Sequence, residues 1–387
     1  MEFTKKAHII LISVIAALLI TAAAVITHFI RINTTQIAFY QLTPQVQKAI
    51  EDQITSTLAD KKSRVHFKTL DAQKPLFEQN TKKYAIIFSY NSRSVIELNS
   101  KQIPVSIMAA FPTKIRYSVI SNNKFYAMPV LLDHFGFSIY TSYKDMLNLA
   151  EPTSLSTLKQ YLSDVNAKAS VPLAVCGADD TELFGFVSAY AQSMMTIKEY
   201  FALCSELNKA QSSLSDLPYE LKVVLDEIKS LQKSGLLFSN WTTLTQSQME
   251  FLMKEHHMGS AVTSLSLHRT FPYVLNKYYD ITMFPQEQKE TAAIIAPEIV
   301  AVKMKNGNFI NSILQNLITA DSQKELSKNT TLAPAASVGE SHDTLADDIR
   351  FWAAATPSGP VPSLKEASFI TPERVTTYAQ KIRDYLK

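Results

Sequence analysis

A run of acidic residues, Asp179, Asp180 and Glu182, is the group best suited to acid–base chemistry in this chain. Neighbouring carboxyl groups can share the roles of general acid and general base. The run also stands directly before an apolar, helix-like stretch over residues 183–194. Because acidic side chains are stabilised at a helix N-terminus by the helix dipole, we interpret the run as a solvated helix start.

Glu255, His256 and His257 place three potential metal ligands side by side. Adjacent residues on a helix point about 100° apart. No second histidine follows at a spacing of four, the arrangement that puts two histidines on one helical face. The sequence has no CxxC pair and no Cys/His cluster either. We therefore expect neither a metal site nor a cofactor.

The two cysteines, Cys176 and Cys204, each follow two apolar residues. In an exported protein they could form a disulfide. At apolar positions they could also be buried free thiols, and the sequence leaves this choice open.

Motifs of several other function classes are missing from the sequence. It has no G-x-S-x-G, HExxH, GxGxxG or GxxxxGK, and only 8 glycines. With 38 basic and 35 acidic residues, it lacks the positive excess of a nucleic-acid-binding protein. We predict that the protein is not an enzyme and has no nucleic acid partner.

The N-terminal residues 9–30 contain no Asp, Glu, Lys or Arg and are long enough to span a bilayer. Lys5 and Lys6 precede this run, so its N-terminus should stay cytoplasmic while the chain after Arg31 is exported. The alternative is a signal peptide cleaved near residues 22–24. Because the apolar run continues past that point, we favour an uncleaved helix in the cytoplasmic membrane that anchors an extracytoplasmic body.

The exported body begins with alternating strand and helix patterns. Strands are predicted at 35–42, 64–70 and 84–89, and a helix follows Thr43 and Pro44. This order predicts an α/β sheet, in which ligands bind beyond the carboxyl ends of the strands. The polar residues at those ends are Tyr40 and Gln41 after the first strand, and Tyr90 and Asn91 after the third.

The stretch 124–140, KFYAMPVLLDHFGFSIY, fits two consecutive strands better than one helix, because it contains Pro129 and Gly136. Its pattern of Tyr126-Ala-Met-Pro129, then Asp133, then a strand ending in Tyr resembles bacterial extracellular solute-binding proteins of the maltose-binding protein class. In that family the matching segment is the first crossing between two lobes. Weaker likenesses follow in the family's order at 151–155, 243–263, 281–285, 298–303 and 354–362.

The resemblance implies an α/β, two-lobed type II periplasmic-binding-protein fold behind the N-terminal transmembrane helix. Lobes that close on a solute need convergent polar groups and a hinge rather than a catalytic residue. The expected boundaries are a first lobe of 35–130 plus 290–320, a second lobe of 134–284 plus 321–387, and hinges at 131–133 and 285–289.

The resemblance also selects further candidate ligand contacts. Asp133 follows the first crossing, and His268 and Arg269 stand in a loop, residues 264–269, that the family brings to the cleft. The guanidinium of Arg269 could bind ligand oxygens in a fork. The alternative is that both residues belong to an ordinary surface loop.

The proline-studded segment at 354–362 resembles one that lines the cleft in the family. It contains Ser358, and Trp352 stands just before it, so we include both as candidate ligand contacts. Trp241 precedes a predicted helix and is interpreted as a packing residue.

These features predict a membrane-anchored extracytoplasmic solute-binding protein. By resemblance, its solute is a sugar or oligosaccharide and its partners are the permease subunits of an ABC importer. The alternative is that the same fold serves as a ligand sensor or surface scaffold without transport. The scarce glycines and tryptophans and the short segment before the first crossing keep this alternative open.

Overall fold

The computed structural model describes residue 21 and the ranges 34–58, 65–209, 216–341, 343–369 and 371–387. The predicted anchor at residues 9–30 lies outside this part of the chain, except for Thr21. Among the described helices, none has both the length and the apolar character that a membrane crossing requires.

The described residues form short strands and mostly amphipathic helices. The strands are β1 Thr35–Phe39, β2 Val65–Thr69, β3 Ile86–Tyr90, β4 Ile120–Ser121, β5 Lys124–Phe125, β6 Met128–Leu132, β7 Phe135–Tyr140, β8 Ala174–Val175, β9 Ser260–Ser264, β10 Tyr279–Thr282, β11 Ile294–Ile295, β12 Glu298–Lys303, β13 Ala333–Pro334 and β14 Pro360–Val361. The α-helices are α1 Pro44–Thr57, α2 Arg93–Ile96, α3 Val105–Met108, α4 Thr113–Tyr117, α5 Thr141–Met146, α6 Leu155–Val165, α7 Asp180–Met194, α8 Ile197–Lys209, α9 Tyr219–Lys233, α10 Gln246–Lys254, α11 Leu265–His268, α12 Tyr273–Asn276, α13 Asn308–Leu317, α14 Ala320–Thr330, α15 Thr344–Ala355, α16 Leu364–Ser368 and α17 Pro372–Leu386.

The first sheet has the strand order β13-β6-β12-β3-β1-β2. The predicted strands at 35–42, 64–70 and 84–89 are confirmed, and they pair in parallel through β1. β12 runs antiparallel to both β3 and β6. The carboxyl ends of β1, β3 and β6 therefore meet at one edge of the sheet.

The stretch 124–140 contains the first passage between two sheets. β6 ends in the first sheet at Leu132 and β7 begins the second at Phe135, so the prediction of two consecutive strands is confirmed. The second sheet has the order β10-β7-β9-β8, with β7 antiparallel to β9 and β10, and β8 parallel to β9. Only Asp133 and His134 separate β6 from β7.

Two further passages run side by side, because β11 and β14 pair in parallel as a separate ribbon. β11 leads into β12 of the first sheet, and β14 leads into α16. Ala293 and Ile295 pack with the core of the second sheet, whereas Ile294 and Ala296 pack with the core of the first. The second passage therefore lies a few residues beyond the expected hinge at 285–289.

Each sheet carries its own apolar core, and we call the two units the first and second lobes. The first core contains Ile87, Leu131 and Val302, and also Leu326, Ala346, Ile349 and Ala353. The last four residues differ from the expected boundaries, which put 321–387 in the second lobe. Their apolar faces are covered by first-lobe elements, since α14 packs on α1, and α15 packs on α4 and β13. From Val361 onward the chain packs with the second lobe.

Several local predictions are also confirmed. Ser154 caps α6 through a reciprocal hydrogen-bond pair with Thr157. Trp241 is fully buried and packs edge-on against Phe186, with ring centroids 5.3 Å apart. Cys176 and Cys204 are buried free thiols, which resolves the choice that the sequence left open.

Candidate functional site

A cavity of about 260 Å³ lies between the lobes beyond the carboxyl ends of β1 and β3, and we call it the cleft cavity. The first lobe contributes Gln41, Tyr90 and Ser92. The second lobe contributes residues from the start of α7 and from α16 to α17, namely Asp180, Lys365, Glu366, Phe369, Thr371, Pro372, Val375 and Thr376. The cavity is smaller than the ~300–1,000 Å³ of typical pockets for drug-sized ligands, so it suits a compact molecule.

Gln41 is held at the cavity by a backbone in the left-handed region, with φ of 53°. Its Nε2 donates to the Tyr40 hydroxyl at 2.9 Å and to the Ala72 carbonyl at 3.0 Å. Tyr40 itself is fully buried, and its hydroxyl donates to the Lys74 carbonyl at 3.1 Å. Tyr40 therefore supports Gln41 from within the first lobe. This corrects the expectation that Tyr40 faces a ligand, because residues 72–74 cover the end of β1.

Tyr90 lines the cleft cavity, and its hydroxyl makes no hydrogen bond within the described part of the chain. Burial raises the pKa of Tyr90 well above its ordinary value, and the carboxylates of Asp133 and Glu366 raise it further. The phenol therefore stays neutral and can donate a hydrogen bond into the cavity.

Asn91 is buried and is not among the residues that line the cleft cavity. Its Nδ2 donates to the Glu298 carboxylate at 2.8 Å, and its Oδ1 accepts from the Tyr126 hydroxyl at 2.6 Å. Glu298 also accepts from the Ser118 hydroxyl at 2.7 Å, and burial raises its pKa to about 7. Asn91 thus belongs to a buried hydrogen-bond network of the first lobe. Its amide nitrogen and oxygen both have protein partners and do not face a ligand.

Asp133 connects the first passage to the second lobe. Its Oδ2 accepts from the Ser266 hydroxyl at 2.6 Å, and its Oδ1 accepts from the backbone N–H groups of His134 and Ser266 at 2.8 and 3.1 Å. The residue is buried, and burial raises its pKa. Asp133 therefore lies near Tyr90 of the cleft cavity, and the protein itself donates hydrogen bonds to both of its carboxylate oxygens.

The acidic run begins a helix, as predicted, but Glu182 is buried rather than solvated. Asp179 caps α7 by accepting from the N–H groups of Thr181 and Glu182, at 2.7 and 3.2 Å. Glu182 is buried and accepts from the N–H of Ser264 at 3.0 Å and from the Ser264 hydroxyl. Burial is also what raises the pKa of Glu182 to about 8.

The charged residues at the cavity wall are partly paired. Asp180 accepts from the Arg383 guanidinium at 2.7 Å. Lys365 lies 3.5 Å from the buried Glu366 carboxylate, and its ammonium donates to the Thr181 hydroxyl at 3.0 Å. Glu366 also accepts from the Ser363 hydroxyl, which caps the same helix.

His268 and Arg269 line a second cavity of about 460 Å³, bounded by residues 273–282 of the second lobe and 343–348 of the first. Arg269 forms an ion pair with Asp343. Burial lowers the pKa of His268 to about 3, with Arg269 adding to the effect, so its imidazole is neutral. Tyr90 and this loop were expected to face one cleft. Instead, Tyr90 lines the cleft cavity, and His268 and Arg269 line the second cavity.

Trp352 lines a third cavity of about 520 Å³ together with Met283, Phe284 and Phe351. Its ring centroid lies 5.7 Å from that of His134, at the first passage. Ser358 lines none of the three cavities. Its hydroxyl donates to the Thr291 carbonyl at 3.0 Å and its N–H to the Ala292 carbonyl at 2.8 Å, so it ties two passages together.

The histidines that were considered as metal ligands have other contacts. Nδ1 of His256 lies 2.9 Å from the Tyr140 hydroxyl, and Nδ1 of His257 lies 3.2 Å from the Ser170 hydroxyl. Over the described ranges, no group of three or more His, Cys, Asp or Glu side chains is placed to hold a metal ion.

Sequence reasoning missed Lys365, Glu366 and Phe369 as cavity residues. A usable signal was Ser363, which follows the proline-studded segment and precedes Lys365 and Glu366 in the manner of a helix cap. Because that segment was expected near the cleft, the helix starting directly after it should have been expected there too.

No family model matches the sequence, and no curated protein matches it. Solved structures, in contrast, match over most of the chain. The bacterial solute receptor AcbH, described as exclusive for β-D-galactopyranose, aligns with a TM-score of 0.71 and 12% identity over 91% of this chain and 98% of its own. A sugar transporter structure from Bacillus licheniformis in complex with stachyose aligns with a TM-score of 0.63 and 12% identity over 90% and 95%. The solute-binding protein RafE in complex with raffinose aligns with a TM-score of 0.62 and 12% identity over 91% and 99%.

These neighbours are solute receptors and sugar-binding proteins rather than enzymes, in agreement with the class predicted from the sequence. At this level of identity the likeness concerns the fold. The chain has the two-lobed α/β fold of these solute-binding proteins.

Proposed function

We propose that this chain captures a small sugar between its two lobes outside the cytoplasm and presents it to the permease of an ABC importer. The observation that carries the proposal is the cleft cavity, which receives polar side chains from both lobes. A ligand that contacts both lobes binds only when they are together, so it shifts the population toward the closed state.

The chemistry of the lining fits a sugar. Gln41, Tyr90, Ser92, Thr371 and Thr376 supply hydrogen-bonding groups for hydroxyls, and Phe369 supplies an apolar ring. The size of the cavity favours a single ring over a long oligosaccharide. Among the matched structures, AcbH is described as a receptor for a single pyranose.

We further propose that residues 9–30 anchor the protein in the cytoplasmic membrane with the lobes on the outer side. The support is the length of the uncharged run and the lysines before it. The alternative function, a ligand sensor or scaffold without transport, uses the same lobes and differs only in the partner.

Two experiments test the proposal. Calorimetric titration of the full-length chain with mono- and oligosaccharides should give saturable binding that Gln41→Ala weakens. The exposed Gln160→Ala, on α6, is the matched control. Crosslinking in membranes should then capture a permease subunit. Sugar binding without a permease partner would favour the sensor, and no saccharide binding would contradict the proposal.

A further inference from the structure

Three buried carboxylates cluster beside the cleft cavity. Asp133, Glu182 and Glu366 are only 4%, 5% and 5% exposed. They come from the first passage, from α7 and from α16. Asp133 interacts electrostatically with both Glu182 and Glu366. We call these three residues the cleft carboxylates.

Few cations face this cluster. Lys365 lies 3.5 Å from Glu366, and Arg383 is committed to Asp180 and to the Gly177 carbonyl. Within the described ranges, Asp133 and Glu182 have only serine hydroxyl and backbone N–H donors, with no lysine, arginine or histidine in an ion pair. His134 contributes no charge, because burial lowers its pKa to about 4.

The remaining ionisable neighbours add negative charge or none. Asp179 at the start of α7 acts on Glu182, and Cys176 after β8 is a neutral thiol because burial raises its pKa to about 12. Tyr90 faces the cavity as a neutral phenol. The cleft therefore holds more carboxylates than cations, and a buried carboxylate without a cation is costly unless it is protonated or meets a cation from outside.

Of the three cleft carboxylates only Glu366 lines the cavity, so a cation from outside enters beside Glu366, next to Lys365. Glu366 and Tyr90 both line the cavity, one with a carboxylate and the other with a hydroxyl that has no protein partner within the described residues. Gln41, Ser92 and Thr376 line the same space with groups that suit hydroxyls. A ligand with an ammonium group beside Glu366 and a ring carrying hydroxyls would contact both the carboxylate and the uncharged polar residues of the lining.

We propose that the solute is a polyhydroxylated amine, such as an amino sugar with a free ammonium group, rather than a neutral saccharide. This inference rests on the proposed function and names the chemical class of its ligand. In the bound state the ammonium is hydrogen-bonded to Glu366 and Tyr90. Its charge also favours the ionised forms of Asp133 and Glu182.

Calorimetric titration of the full-length protein at pH 6.5 with glucosamine and galactosamine, against their N-acetylated forms and the parent hexoses, tests the proposal. A hydrogen bond to a charged group is worth ~1.5–3 kcal/mol, so we expect the free amines to bind about tenfold to a hundredfold more tightly. Binding should release protons, measured as a dependence of the heat on the buffer's ionisation enthalpy, because Glu182, with a pKa of about 8 in the free protein, ionises.

A variant pair locates the preference. Glu366→Gln should remove most of the preference for the amine, because it lowers the affinity for the free amines more than the affinity for the neutral sugars. Glu227→Gln, at a half-buried residue of α9 that is ion-paired with Lys159, should change neither. Equal or tighter binding of the neutral sugars would overturn the inference and leave the proposed function standing. Failure of every saccharide to bind, charged or neutral, would contradict the proposed function and the inference with it.

Discussion

The guanidinium of Arg269 in the second lobe is ion-paired with the carboxylate of Asp343 in the first lobe. Asp343 also caps α15 by accepting from the N–H of Leu345 at 3.0 Å. One carboxylate therefore both caps the N-terminus of a first-lobe helix and joins the lobes at the second cavity. The pair is 22% and 33% exposed, so water screens part of its energy.

Asp343→Asn should weaken the contact between the two lobes, because it removes the ion pair with Arg269. It should leave α15 capped, because asparagine is an equally good helix cap. A partly exposed ion pair contributes up to about 1 kcal/mol, so we expect up to a fivefold shift of the lobe equilibrium toward open. Small-angle scattering of the ligand-free protein should show a larger radius of gyration.

Asp347→Asn is the control for this change, since its ion pair with Arg350 lies within the first lobe. An unchanged scattering curve for Asp343→Asn would mean that other contacts hold the lobes together. The Asp133–Ser266 hydrogen bonds would then be the next candidates.

Tyr40→Phe and Tyr90→Phe should separate stability from binding. Tyr40→Phe removes hydrogen bonds to Lys74 and Gln41, and should lower the free energy of unfolding by ~0.5–1.5 kcal/mol. Tyr90→Phe removes a hydroxyl without a protein partner in the described chain, so the unfolding free energy should change little while the solute affinity falls about twofold to tenfold. Urea denaturation and calorimetry measure the two effects. The reverse pattern would exchange the roles assigned to the two tyrosines.

The stability of the protein should fall with rising pH through the titration of Glu182. Its pKa is about 8 when folded, against an ordinary value of 4.5. The raised folded value means that unfolding releases a proton between these limits. The contribution to stability is therefore full below pH 4.5 and is lost as the pH rises through 8.

Glu182→Gln should remove this contribution, since a glutamine stays neutral at every pH. The slope of the unfolding free energy between pH 5 and 8 should become less negative by up to ~1.4 kcal/mol per pH unit. Glu298 also has a raised pKa, of about 7, so the variant should retain some slope. Parallel curves for variant and wild type would show that Glu182 is ionised throughout.

Gly185→Ala should destabilise the second lobe. A Cβ at this position of α7 would lie 2.0–2.4 Å from ring atoms of Phe135 on β7. Forcing the ring aside in a packed core costs ~1–3 kcal/mol. Gly235→Asn is a suitable control, because that glycine has φ of +74° with open space around it, and asparagine tolerates the left-handed region. Urea denaturation measures both variants, and a Gly185→Ala protein as stable as the wild type would mean that Phe135 can repack freely.

The predicted anchor gives a test at the other end of the chain. The full-length protein should sediment with membranes and resist alkaline extraction, and deletion of residues 2–31 should release it. N-terminal sequencing of the mature protein should find the first residues intact. A mature N-terminus near Val25 would identify a cleaved signal peptide instead.

The sequence by itself determined the local elements and their order. Alternating and continuous apolar runs specified β1, β2 and β3, and Pro129 and Gly136 divided the stretch 124–140 into two strands. These patterns are local, since they depend on side-chain periodicity and backbone preferences within a few residues. For the same reason, the sequence correctly identified Gln41 and Tyr90 as residues at strand ends.

Only the tertiary structure decided which of these polar residues reach a cavity. Tyr40 and Tyr90 both stand at the ends of strands. Residues 72–74 cover Tyr40, whereas Tyr90 lines the space between the lobes. Glu182 belongs to an acidic helix start, but Ser264, more than 80 residues away, removes it from water. Burial depends on which distant elements pack together, and spacing within one segment carries no information about that packing.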